Sequence, residues 1–192
     1  ITPLNQPTTT LNYVALIPST TLFYTCSKEK SDIMYDMYNS PPTVTHRLKH
    51  QTSYVNTVAF HPSLPLFATG SGDNSTILYD ISNISTSPPT VKHHLKHHTN
   101  YVWSIAFHPT LPLLATGSAD NSTILYDISN ISTLPPTVKH NLKHHTSWVN
   151  SVAFHPRLPL FATGAWDNST IIYDIHTSPP THTYTHLNLH NT

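Results

Sequence analysis

"FHPTLPLLATGSADNSTILYD", residues 107–127, is written three times in this chain with few changes. Forty-seven residues upstream stands FHPSLPLFATGSGDNSTILYD, and forty-seven downstream stands FHPRLPLFATGAWDNSTIIYD. The wider blocks 58–80, 105–127 and 152–174 align without gaps. An eroded copy of the same length, VALIPSTTLFYTCSKEKSDIMYD, occupies 14–36. Between the blocks a second phrase recurs: SPPTVTHRLKH at 40–50, SPPTVKHHLKH at 87–97, LPPTVKHNLKH at 134–144, and the looser SPPTHTYTHLN at 178–188. Self-similarity at a fixed period marks a chain built from stacked supersecondary units.

Each unit predicts four strands. In the third unit they are Val102–Phe107, Leu113–Gly117, Thr123–Asp127 and Thr137–Leu142, rich in β-branched and aromatic residues. His108-Pro109 and Leu111-Pro112 make the first turn, because proline cannot donate to a central ladder. Ala119-Asp120-Asn121 makes the second turn, and the polar stretch 129–136 the third. No window of 11 or more residues has helical periodicity. The expectation is an all-β chain of four four-stranded antiparallel propeller blades, spanning about 11–50, 51–97, 98–144 and 145–190.

Composition excludes several functions. Charged residues make up only 9% of the 192, and Lys+Arg equals Asp+Glu, for a formal net charge of zero. Broad electrostatic binding to nucleic acid or an anionic membrane is not expected from such a chain. The single cysteine, Cys26, gives neither a disulfide framework nor a CxxC metal signature. No apolar run approaches the ~20 residues of a membrane span. The sequence opens on Ile1 with no signal-peptide pattern, and an intracellular setting is expected. No cofactor is expected.

The repeats resemble the WD-repeat (Trp-Asp repeat) family of β-propellers. The resemblance rests on the strand ending in Phe-His-Pro, the Ala-Thr-Gly phrase, the turn Asp and the closing aromatic-Asp dipeptide. Three departures stand out. Tyr79, Tyr126 and Tyr173 replace the family Trp; His50, His97 and His144 replace the Gly of Gly-His; Gln51 replaces its His in the second unit. The resemblance implies a buried network in each unit, joining the His, an innermost-strand hydroxyl, the turn Asp and the closing aromatic. The matching sets are His98, Ser104, Asp120 and Tyr126, then His145, Ser151, Asp167 and Tyr173, then Gln51, Thr57, Asp73 and Tyr79. The first unit carries Pro7, Tyr13 and Glu29 instead, and should be the least firmly held.

An Asp-His-Ser set also invites a catalytic-triad reading. Its recurrence in successive units fits a blade-locking network better than a nucleophile, so no enzyme is expected. The sixteen histidines raise the alternative of a metal- or pH-responsive binder. Their clusters include His93, His94, His97 and His98, then His140, His144 and His145, then His176, His182, His186 and His190. Hairpin positions account for His61, His108 and His155, and outer strands for most others, so no metal site is assigned. Asn74, Asn121, Asn168, Asn83 and Asn130 fit the glycosylation acceptor pattern. The first three also fit a tight turn, the stronger reading.

Partner binding is expected where the copies differ. The residue before the turn Asp is Gly72, Ala119, then Trp166; the residue before the inner-strand hydroxyl is Asn56, Trp103, then Asn150. Just upstream stand Tyr54, Tyr101 and Trp148. In the resembled family these loops line a face that binds peptides or proteins, and aromatic anchors favour interface centres. The leading expectation is therefore a protein-interaction scaffold. The alternative is a self-assembling subunit whose open blade faces stack between chains. Four units leave two arrangements: a partial or open propeller, or a closed four-bladed ring.

Overall fold

A computed structural model describes residues 10–17, 20–27 and 32–186, the side chains of 183–186 excepted. The sequence positions Pro7, Glu29 and His190, and the side chain of His186, lie outside the described residues. Among the described residues the regular elements are all strands, grouped in four antiparallel sheets of four. The first blade holds β1 (Leu11–Leu16), β2 (Leu22–Ser27), β3 (Asp32–Asp36) and β4 (Thr43–Leu48). The second holds β5 (Val55–Phe60), β6 (Leu66–Ser71), β7 (Thr76–Asp80) and β8 (Thr90–Leu95). The third holds β9 (Val102–Phe107), β10 (Leu113–Ser118), β11 (Thr123–Asp127) and β12 (Thr137–Leu142). The fourth holds β13 (Val149–Phe154), β14 (Leu160–Ala165), β15 (Ser169–Asp174) and β16 (Thr181–His186). In the third blade only β10 departs from the sequence expectation, running one residue further to Ser118.

Local chemistry closes both tight turns. After the first strand of blades two to four, a histidine precedes proline. His61 Nδ1 accepts from the Ser63 and Leu64 amides at 3.2 and 3.0 Å. His108 does the same for Thr110 and Leu111, and His155 for Arg157 and Leu158. The second turn needs a left-handed residue. Asn74, Asn121 and Asn168 supply it with φ of 70°, 67° and 63°, a region asparagine tolerates better than bulkier residues. Asn74 Nδ2 then donates to Thr99 O at 3.2 Å, and Asn121 Nδ2 to Thr146 O at 3.3 Å. The amide nitrogens that a glycan would modify thus tie one blade's turn to the next blade.

Blades follow one another in chain order. The inner strands β1, β5, β9 and β13 abut in series, and β2, β6 and β10 each pack on the inner strand of the following blade. Close approach is set by glycine. A Cβ on Gly70 would lie 2.6 Å from Val102 Cγ1, and one on Gly117 2.9 Å from Val149 Cγ1. Around these contacts the cores are shared between blades: Leu66, Ala68 and Leu78 meet Val102 and Ile105, while Leu113, Ala115 and Leu125 meet Val149 and Val152. This packing is not repeated between β13 and β1, so the blades form an open arc and not the closed four-bladed ring.

Candidate functional site

The network is a lock at one end of blades three and four, with a histidine-free version in blade two. His98 Nδ1 lies 2.9 Å from Asp120 Oδ2. A carboxylate only accepts, so Nδ1 carries the proton. The other ring nitrogen, Nε2, sits 2.7 Å from the Thr116 hydroxyl, which also reaches the Tyr126 hydroxyl. Asp120 is further held by the Thr99 amide at 3.0 Å, the Ser122 amide at 3.0 Å and the Ser122 hydroxyl at 2.6 Å. Blade four repeats the set. His145 Nδ1 meets Asp167 at 3.0 Å, His145 Nε2 meets Thr163 at 2.7 Å, and Ser169 bonds Asp167. Burial alone would raise the Asp120 and Asp167 carboxyls, but this ring of donors holds both well below the usual carboxylate range.

The innermost-strand hydroxyls are not members. The oxygen that meets the histidine comes from the second strand, at Thr116 and Thr163. Ser104 instead accepts from the Val152 amide of the next blade at 3.0 Å. Ser151 is exposed, and Thr57 turns its methyl toward Gly70. Alternation along the inner strand is the reason: these side chains point toward the following blade, away from the lock. The signal that marks the true partners was available, since Thr69, Thr116 and Thr163 stand between Ala and Gly in each of the three copies. Ser75, Ser122 and Ser169 were likewise legible as one repeated position.

Blade two runs the lock without histidine. Gln51 Nε2 donates to Thr69 Oγ1 at 2.9 Å, while its buried Oε1 has no partner. Asp73 makes no bond to Gln51 and relies on the Thr52 amide at 2.8 Å, the Thr52 hydroxyl at 3.0 Å and Ser75. Tyr79 reaches the Thr69 hydroxyl.

Two of the three departures from the family phrase meet in space. His50 packs on Tyr79 with ring centroids 5.5 Å apart, His97 on Tyr126 at 5.6 Å, and His144 on Tyr173 at 5.7 Å. In blade four His144 Nδ1 also hydrogen-bonds the Tyr173 hydroxyl at 3.1 Å.

The variable positions form an aromatic rim across three blades. Tyr54 meets Tyr101 edge-on at 5.9 Å, and Tyr101 meets Trp103 edge-on at 6.2 Å. Trp103 stacks on Trp148 at 6.2 Å, and Trp148 on Trp166 at 4.7 Å. Backbone bonds set this order: Gly72 N donates to Tyr54 O, Ala119 N to Tyr101 O and Trp166 N to Trp148 O. Each residue before the turn Asp is thereby clamped beside its own blade's aromatic, and only blade four places a tryptophan there. Trp166 is 61% exposed. A hollow of about 370 Å³ opens beside the rim, lined by Asn12, Tyr54, Asn56 and Trp103. The Trp103 indole Nε1 is shielded from solvent and has no partner in the protein.

Asn56 is not a free contact residue. It is buried, and its Nδ2 donates to Val102 O across the blade junction at 3.0 Å. Asn12 does the same to Val55 O at 2.8 Å. Asn150, the equivalent in blade four, is exposed.

The histidines are distributed by role. Among the described residues, no three His, Cys, Asp or Glu side chains gather into a group able to hold a metal. His93 reaches Ile131 O of the next blade at 3.3 Å, and His46 reaches Ile84 O at 3.4 Å. The lock hydroxyls are enclosed as well: Thr116 is fully buried and Ser122 nearly so. A hydroxyl nucleophile at either position would be sealed from any substrate. No helix of the described residues is long and apolar enough to cross a membrane.

A bladed arc of four antiparallel sheets, the last three each holding a turn Asp in hydrogen bonds, defines a β-propeller repeat protein. The family model for the WD domain, G-beta repeat, matches residues 42–80, 89–127 and 136–174, more than half of the chain. The chain belongs to the WD-repeat family. No curated protein matches it.

Proposed function

We propose that the chain is a non-enzymatic interaction scaffold whose aromatic rim receives an extended, uncharged segment of a protein partner. WD repeats generally mediate protein–protein interactions. The observation that carries the finer reading is the unbroken line Tyr101, Trp103, Trp148, Trp166, ending on an exposed tryptophan. Stacked aromatics offer large contact area at low entropic cost, and tryptophan is enriched at interface hot spots. The turn carboxylates beside the rim, Asp73, Asp120 and Asp167, are spent inside the lock and are not free to select a cationic ligand.

The test is a peptide-array screen with the wild-type chain, followed by affinity measurement on the strongest hits with Trp166→Ala. The variant should bind roughly tenfold more weakly or worse, the scale of a hot-spot truncation, with an unchanged melting temperature. Unaltered affinity in the variant would remove the rim from the binding site.

A further inference from the structure

The two ends of the arc expose opposite halves of one interface. Within the chain, each blade presents a trailing face of small and branched residues to the leading face of the next. The trailing face of blade three is Ala106, Leu113, Ala115, Gly117 and Leu125, and it takes Val149 and Val152 of blade four. Blade four repeats that trailing face as Ala153, Leu160, Ala162, Gly164 and Ile172, but nothing among the described residues covers it. Gly164 shows the difference directly. A Cβ there would meet only its own blade, Ser151 Cβ at 3.7 Å and Asn150 Oδ1 at 3.9 Å. An apolar hollow of about 320 Å³ opens on this face beside Phe154 and Phe161.

Blade one has the matching problem at the other end. Leu11, Val14, Leu16 and Met37 stand at the register of Val55, Val58, Phe60 and Ile81. Val58 is 2% exposed inside the first junction, whereas Val14 is 54% exposed and Leu16 65%. Apolar patches of this kind on a soluble chain mark an interaction surface.

We infer that the trailing face of blade four docks onto the leading face of blade one of a second copy, head to tail. The occupant follows from continuity with the internal junctions, where the same register already packs: valine against glycine, branched residues against alanine. None of the side chains named on either face carries a charge to oppose the contact. A polar clamp is also in place. Asn12 and Asn56 donate across their junctions to Val55 O and Val102 O. Asn150 is the same residue at the same position, exposed, and in the assembly it donates to Leu11 O of the second copy. Such a contact is heterologous: it closes a ring where the rotation permits and otherwise extends. This inference is independent of the peptide-binding rim.

Face complementation tests it. Gly164→Val fills the trailing face, and its Cβ meets only ordinary van der Waals neighbours within the chain. Leu16→Asp places a charge on the leading face at an exposed position. Light scattering across a range of concentrations should show the wild-type chain at twice its monomer mass or above, and each variant alone as a monomer. An equimolar mixture should recover a dimer, since one variant keeps each intact face, and it should grow no further. A wild-type chain that stays monomeric overturns the inference. So does association that persists in both single variants, or a mixture that remains monomeric. Unchanged melting temperatures of the isolated variants establish that they fold.

Discussion

His97 lies with its ring 5.6 Å from that of Tyr126, and the same pair recurs as His50–Tyr79 and His144–Tyr173. A tyrosine stands where the family phrase has tryptophan, and a histidine ring lies against it where the phrase has glycine. Rings in contact are expected to be coupled energetically. A double-mutant cycle on His97→Gly and Tyr126→Trp should show each single variant destabilised by roughly 1 kcal/mol or more, with the double variant recovering about 0.5–1.5 kcal/mol of the summed loss. Strict additivity in denaturant melts would mean the two positions are uncoupled.

Blade four separates the true hydroxyl of the lock from the inner-strand one. Thr163→Ala orphans His145 Nε2 in a buried site and should cost about 1–3 kcal/mol. Ser151→Ala, at an exposed position, should stay within about 0.5 kcal/mol of wild type. Equal losses from the two would move the lock back to the inner strand.

Gln51→His restores in blade two the residue found in blades three and four. It removes the unpaired Gln51 Oε1 and adds a donor to Asp73. The expected gain is about 1 kcal/mol, read as a higher denaturant midpoint. A lower midpoint would show that Thr52 and Ser75 have reshaped the site around glutamine.

Asp32 is a buried carboxyl at the register where blades two and three carry Thr76 and Thr123. One of its oxygens has no partner, and burial pushes its pKa up to about 7. The unfolded value is ~3.9, so folding takes up a proton between the two. Stability conferred by the protonated form is therefore full below about pH 4 and drains as pH rises toward 7. Asp32→Thr should raise the melting temperature, by more at pH 8 than at pH 5. A gain that does not change with pH would show that Asp32 does not titrate in this window.

In the Asp32→Thr background the histidines set the acid limb. Burial lowers the pKa values of His61 and His108, whose Nδ1 atoms accept two amides each. The unfolded rings titrate near ~6.5. Their contribution is full above that value and is lost as pH falls below it, because the unfolded chain then binds more protons. A chain with sixteen histidines and only nine acidic residues gains net positive charge in acid, and that overall repulsion acts in the same direction. Thermal melts should give a lower midpoint at pH 5 than at pH 7.5, with the gap narrowed by salt. A higher midpoint at pH 5 in low salt would reverse this assignment.

The sequence by itself determined the strands, the turns and the number of blades. Those features depend on local chemistry repeated at a fixed period: β-branched runs, His-Pro turns and an Asn able to take positive φ. It also pointed to the aromatic positions, because Trp166 breaks the series Gly72, Ala119. Tertiary structure alone decided the rest. Which hydroxyl meets His98 depends on which strand face turns toward the lock, so Thr116 takes the place read for Ser104. Asn56 and Asn150 are the same letter at the same position, yet one is buried as a clamp and the other exposed. The physical reason is that a blade's local pattern sets what each face can pack, while only the arrangement of neighbouring blades sets whether that face is covered.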